Sequence, residues 1–168
     1  MYKLIILDID ETLIHSTYEK LNRKPDIYYK NRGVYLRPGL SKFIQFCFDN
    51  FDVAIWTSAK AEYAKYVLKR TVENFSNFKF ILTRANCDKE YVSNGFFKEI
   101  RYIKDLRKIE DYKLENILMI DDTPQNVIPI DNVISINEYR GEFVDKGLTE
   151  LQKKLIYLNR VSRKPKKE

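Results

Sequence analysis

The chain has 168 residues, 44% of them hydrophobic and 14% aromatic, the size and composition of one folded domain with a real core and not of a disordered or fibrous polymer. Of its net charge of +6, four units fall in residues 160–168, which hold five basic residues and one acidic residue. A folded unit over 1–159 and a basic, disordered tail over 160–168 are therefore expected, and the tail alone argues only weakly for nucleic acid. No apolar run approaches the about 18 residues of a membrane span, and Met1 leads into a strand-like run without signal-peptide regions. These features predict a soluble intracellular protein with no membrane partner, and they leave the oligomeric state open. Cys47 and Cys87 are too few and too far apart for a disulfide framework or a four-ligand zinc site, so buried reduced thiols are expected.

Lys3 to Leu7 (KLIIL) predicts a buried strand that runs straight into an acidic cluster. The polar stretch Thr17 to Gly33, broken by Pro25 and Gly33, predicts a loop or an irregular hairpin. Beyond Pro38 and Gly39, the residues Leu40, Phe43, Ile44 and Cys47 follow the i, i+3, i+4, i+7 pattern of a helix with one buried face. Asp52 to Trp56 (DVAIW) predicts a second strand, followed by a helix over about 59–72 in which Tyr63 and Val67, and Ala64, Leu68 and Val72, recur at helical spacing. Phe78 to Leu82, Asn116 to Ile120 and Val133 to Ile136 predict three further strands, and Leu148, Leu151, Leu155 and Leu158 line a closing helix. Strands alternating with helices predict an α/β fold, a single doubly wound and mainly parallel sheet covered on both faces. In such sheets ligands bind beyond the carboxyl ends of the strands.

Those ends carry the chemistry. The first strand ends in Asp8-Ile9-Asp10-Glu11-Thr12, the second in Thr57-Ser58 and the fourth in Asp121-Asp122-Thr123-Pro124, while Lys104-Asp105 lies a little before the fourth. Carboxylates gathered at one edge repel one another unless a cation neutralises them. An oxygen-only set without His or Cys selects a hard ion, and Mg²⁺ suits a site that keeps positions open for phosphate oxygens. Thr57 and Ser58, with amides near the start of the following helix, predict an anion cradle, to which Lys104 adds a point charge. In this reading Asp8 is the nucleophile that takes up phosphate, and Asp10, two residues along, protonates the leaving oxygen and then activates water. His15, the single histidine, receives no role, and the Tyr and Phe residues are read as core filling.

The same segments resemble the haloacid dehalogenase superfamily, and within it the small C-terminal-domain phosphatases, also called NLI-interacting-factor-like. LDIDETLIHS (7–16), YLRPGLSKF (35–43), VAIWTSAKAEYA (53–64), TRANC (83–87), YIKDL (102–106), MIDDTPQNV (119–127) and DNVISI (131–136) resemble that family's blocks in order over nearly the whole chain. The resemblance implies a Rossmann-like fold of that superfamily with Asp8 as nucleophile and Mg²⁺ ligand and Asp10 as acid/base and ligand through its carbonyl. It further implies that Asp121 completes the metal site, that Asp122 supports the metal, and that Thr57 and Lys104 bind phosphate. Two departures stand out: a shorter segment between the first motif and LRPGL than in eukaryotic members, and Glu99-Ile100-Arg101-Tyr102 where those members often have Arg-Gly-Asn-Tyr.

The gaps on either side of Thr57 hold no large cap domain, which favours a bulky phosphoester, a phosphoserine or phosphothreonine in protein, over a small metabolite. The alternatives are a nucleotide or nucleic-acid end phosphatase and a noncatalytic binding protein on the same fold. A phosphoaccepting receiver is disfavoured because Asp10 predicts rapid hydrolysis of the phosphoryl group.

Overall fold

The computed structural model describes residues 2–93, 95 and 98–161. Its strands are β1 (Leu4–Leu7), β2 (Ile14–Thr17), β3 (Ile27–Tyr29), β4 (Arg32–Leu36), β5 (Asp52–Trp56), β6 (Ile81–Leu82), β7 (Asp88–Ser93), β8 (Lys98–Asp105), β9 (Ile117–Asp121), β10 (Val127–Ile128) and β11 (Val133–Ser135). The helices are α1 (Leu40–Asn50), α2 (Ala61–Thr71) and α3 (Gly147–Val161), so the tail expected from residue 160 begins inside α3, and residues 162–168 lie outside the described residues.

Five strands form the central sheet in the order β11-β9-β1-β5-β6, all parallel. Renumbered within the sheet, this is the doubly wound order, with the switch in winding direction between β1 and β9. β1 reads LIIL with all four residues buried, as an interior parallel strand requires. Its side chains alternate between two cores. Ile5 and Leu7 face a core built with α1, α2 and α3, while Leu4 and Ile6 face a second core with Ala54, Trp56, Ile117 and Met119. The helices act as the periodicity predicted: α1 buries Leu40, Phe43, Ile44 and Cys47, α2 buries Tyr63, Ala64, Val67 and Leu68, and α3 contributes Leu148, Leu151 and Leu155.

The second face is covered by a hairpin and short turns. Between β6 and β9 the chain forms the antiparallel hairpin β7–β8, and Leu106, Ile109 and Val127 close that core. The hairpin escapes a search for apolar runs because Asp88–Ser93 and the first half of β8 are solvent-facing and polar; only Ile103, Lys104 and Asp105 at its end are buried. The stretch read as a loop or an irregular hairpin holds β3 and the start of β4, which join β2 in a three-stranded antiparallel sheet. Cys47 is buried and Cys87 half-buried, and both are free thiols. Among the described residues, no helix is long and apolar enough to cross a membrane.

Candidate active site

Strand register brings the acidic motifs together. Leu7 pairs with Ile55 on one side and Ile120 on the other, and the Asp8 amide donates to the Ile120 carbonyl at 3.0 Å, so Asp8 stands level with Asp121 at the switch point. Both aspartates continue the alternation of Leu4–Ile6 and Ile117–Met119, and their side chains project toward the face that carries β8. β10, which follows Asp121-Asp122 after one short turn, pairs in parallel with the end of β8 and matches Val127 to Lys104. The Lys104 ammonium accordingly donates to Asp8 Oδ1 and to Asp121 Oδ2, each at 2.7 Å, with its side chain only 4% exposed.

Asp122 joins them through the first motif. Its Oδ1 accepts from Thr12 Oγ1 at 2.7 Å and its Oδ2 from Thr123 Oγ1 at 2.9 Å, while the Thr123 amide donates to Asp121 Oδ1 at 2.8 Å. Asp8, Asp121 and Asp122 each present a carboxylate oxygen, all within 4.8 Å of one another. Three carboxylates against one ammonium leave a net negative, oxygen-only cluster, which suits a hard divalent cation. Burial pushes the Asp8 carboxyl up to about 8, opposed by Lys104 and reinforced by Asp121. Burial likewise raises Asp121, again opposed by Lys104. Burial pulls Lys104 down, but Asp8 and Asp121 more than reverse it and keep it charged.

Asp10 is held by a residue of α2. Its Oδ1 lies 2.6 Å from the Tyr63 hydroxyl, which also stands 2.9 Å from Ser16 Oγ. With a single proton, the phenol gives to the carboxylate and accepts from the serine. Burial raises the Asp10 carboxyl and the Tyr63 hydrogen bond opposes the rise. The backbone turns sharply just after it, with Glu11 at φ 61°, so that the Glu11 amide donates to the Ile14 carbonyl at 2.7 Å and the chain enters β2. A non-glycine residue in that region carries strain, which the surrounding contacts hold in place. His15 Nδ1 lies 2.8 Å from Glu11 Oε2.

Thr57, at the end of β5, is 1% exposed. Its amide is not part of an anion cradle, because it donates to the Leu82 carbonyl at 3.1 Å. The Ala59 amide is also engaged, with Thr57 Oγ1 at 3.1 Å, which leaves the Thr57 hydroxyl proton as that residue's donor. Ser58 is half-buried and lines a cleft with Asp10.

Two supporting residues were not singled out from the sequence. Tyr63 counted only as a core position in a helical pattern, and its hydroxyl also bonds Asp10. Arg37, 1% exposed, lay unremarked in LRPGL. Its Nε and Nη2 bind Asp145 at 2.7 and 3.1 Å, Nη1 donates to the Thr12 carbonyl at 2.9 Å and Nη2 to the Asn137 carbonyl at 2.9 Å. One guanidinium thus ties the first motif to the segment that leads into α3. An arginine in a row of apolar neighbours is the signal that could have exposed it.

The chain matches known proteins over most of its length. The family model for NLI interacting factor-like phosphatases matches residues 3–164. The CTD small phosphatase-like protein 2 of Dictyostelium discoideum is 28% identical over 156 residues, covering 88% of this chain and 26% of that protein. The human carboxy-terminal domain RNA polymerase II polypeptide A small phosphatase 1 is 26% identical over 167 residues, covering 95% of this chain and 59% of that protein. Among solved structures, a variant of the fission yeast RNA polymerase II CTD phosphatase Fcp1 bound to beryllium fluoride superposes with a TM-score of 0.60 at 19% identity, covering 95% of this chain and 51% of that one. The chain thus spans between about a quarter and three-fifths of the length of these relatives.

Proposed function

The chain belongs to the NLI interacting factor-like phosphatase family, and from that premise we propose that it is a Mg²⁺-dependent phosphomonoesterase that acts through an aspartyl-phosphate on Asp8. The observation that carries the reading is the Lys104 ammonium held 2.7 Å from both Asp8 and Asp121 beside the Asp122 carboxylate. Such a cluster sets the nucleophile beside positive charge where phosphate oxygens must lie.

In this proposal Asp8, Asp121 and Asp122 hold the cation through carboxylates, and Asp10 adds its carbonyl. When bound, the cation screens the negative charge shared by the nucleophile and the phosphate and so permits their approach. A carboxylate oxygen of Asp8 attacks phosphorus in line as the ester P–O bond breaks, and Asp10 gives its proton to the departing oxygen. Water then attacks the same phosphorus, Asp10 takes a proton from it, and the Asp8–phosphorus bond breaks to release phosphate and regenerate both carboxyl groups. Lys104 and the hydroxyls of Thr57 and Ser58 orient the phosphoryl group and stabilise its developing charge.

A phosphoserine or phosphothreonine in a protein is the proposed substrate. The 46 residues between Asp10 and Thr57 form a small sheet, one helix and the central strand β5, with no separate cap domain, which supports a bulky substrate. The test is phosphate release from para-nitrophenyl phosphate and phosphoserine peptides, with Mg²⁺ and with chelator, for wild type and Asp8→Asn. Release that needs Mg²⁺ and disappears in the variant is expected; equal release by both proteins would remove Asp8 from the nucleophile position.

A further inference from the structure

Beside Asp10 and Ser58 opens a cleft of about 420 Å³ between the β3–β4 turn and the loop that enters α2. Four cations line it: Lys30, Arg32, Lys60 and Arg84, against the carboxylates of Asp10 and Glu62. Among the described residues, none of the four has a carboxylate oxygen within 4.0 Å, whereas Lys104, Arg37, Lys79, Arg101, Arg107, Lys108 and Arg140 are all ion-paired. Unpaired like charges gathered in one concavity repel one another, and an anion in the cleft removes that cost.

The two arginines are held in place without carboxylates. Arg32 donates through Nη2 to the Ser16 carbonyl at 3.0 Å and lies over the rings of Tyr18 and Tyr63, at 5.1 and 5.8 Å from their centroids. Its Nε is buried without a hydrogen-bond partner. Arg84 donates through Nε to the Ser58 carbonyl at 2.7 Å and covers the Tyr102 ring at 4.7 Å. Each guanidinium has five N–H donors and spends one of them in these contacts. The remaining donors belong to planar groups already oriented, so little rotamer freedom is lost when they bind an oxyanion.

We propose that this cleft is a second anion subsite, and that the protein prefers a phosphopeptide with another negatively charged group, a phosphate or a carboxylate, close in sequence to the phosphoserine that reaches Asp8. The inference rests on the phosphatase reading for the position of the first phosphate. Arg32 is the principal ligand, Arg84 a second, and Lys30 and Lys60 supply screened charge from exposed positions at the rim. A peptide fits better than a nucleic acid strand because guanidinium groups already cover the rings of Tyr63 and Tyr102, where bases would stack.

The experiment measures binding, by fluorescence anisotropy in Mg²⁺, of the full-length Asp8→Asn protein to phosphoserine peptides that turn over slowly or not at all. One peptide carries a single phosphoserine. The others add a second phosphoserine, or a glutamate, at offsets of about two to five residues on either side, spanning the reach of an extended chain. At least one doubly anionic peptide is expected to bind about tenfold tighter than the singly phosphorylated one, an effect the size of one bidentate oxyanion contact. The glutamate arm tells whether a carboxylate suffices. Arg32→Gln should abolish the preference. The paired change Lys30→Gln with Lys60→Gln, at two exposed positions, should lower it and tests the cleft even if the arginine variant fails to fold. Equal affinity across the peptide set, or a preference that survives all three substitutions, would overturn the proposal. Tighter binding of a 5′-phosphorylated single-stranded oligonucleotide than of any peptide would replace it with a nucleic-acid reading. Because the readout is binding, a wild-type protein that hydrolyses nothing would sink the phosphatase reading and leave the subsite standing or falling on its own data.

Discussion

Tyr63, on α2, donates a 2.6 Å hydrogen bond to Asp10, two residues beyond the nucleophile candidate, and so orients a carboxyl group that its own strand does not constrain. Burial raises the Asp10 carboxyl, and this bond is the largest influence pulling it back. Tyr63→Phe therefore pushes Asp10 further up. Asp10 enters the cycle protonated and becomes ionised by giving that proton to the leaving oxygen, so a raised Asp10 stays competent to higher pH. Loss of the orienting bond should lower turnover of a phosphoserine peptide about tenfold at neutral pH, and the alkaline limb of the pH profile should move to higher pH. An unshifted alkaline limb would mean that Tyr63 only packs.

Removal of the nucleophile should be close to absolute. Asp8→Asn is expected to lower kcat by at least about a thousandfold, since an amide cannot form the acyl phosphate. Single-turnover assays with acid quench should trap phosphate on the wild-type chain and none on the variant.

Lys104→Ala removes the ammonium from between Asp8 and Asp121 and should lower kcat/KM by about a hundredfold or more. It also leaves two buried carboxylates without their partner. The Tm of the variant should drop when metal is absent, and Mg²⁺ should restore part of it, measured by thermal melts with and without chelator.

The buried carboxyl groups make metal binding and stability depend on pH. Unfolded aspartates lose their proton near pH about 4, whereas folded Asp8 without metal keeps it up to about 8. Between those values the folded state binds more protons than the unfolded one, so Asp8 makes the metal-free protein less stable as pH rises across that window. Mg²⁺ must displace those protons, and its stabilising effect should grow over the same range. Thermal melts at several pH values, with and without Mg²⁺, test this; a Mg²⁺ increment in Tm that shrinks as pH rises would contradict it.

Arg37→Ala should destabilise by about 3 kcal/mol or more, because it strands the Asp145 carboxylate and removes the donor to Thr12 in the first motif. Urea unfolding measures the loss. Activity should fall at temperatures where the variant is still folded, since Thr12 also holds Asp122.

The apolar runs KLIIL, DVAIW and NILMI carried enough information to mark the three central strands, because a parallel strand buried on both faces tolerates few polar residues. The same logic put Asp8, Asp121 and Thr57 at strand ends, where charge can exist beside a core. Helical spacing marked α1, α2 and α3 by their buried faces. Local pattern could not show how Lys104 arrives. It ends a strand whose first half is exposed and polar, and it meets Asp8, 96 residues earlier, only because β10 pairs with β8 over the second face of the sheet. Nor could it show that the Tyr63 hydroxyl turns toward Asp10 while its ring packs in the core, or that Arg37 spans to Asp145 across 108 residues. Periodicity records which face of an element is apolar and is silent on which polar atoms from distant segments find one another. Those pairings depend on the register and crossing of elements, which tertiary packing alone decides.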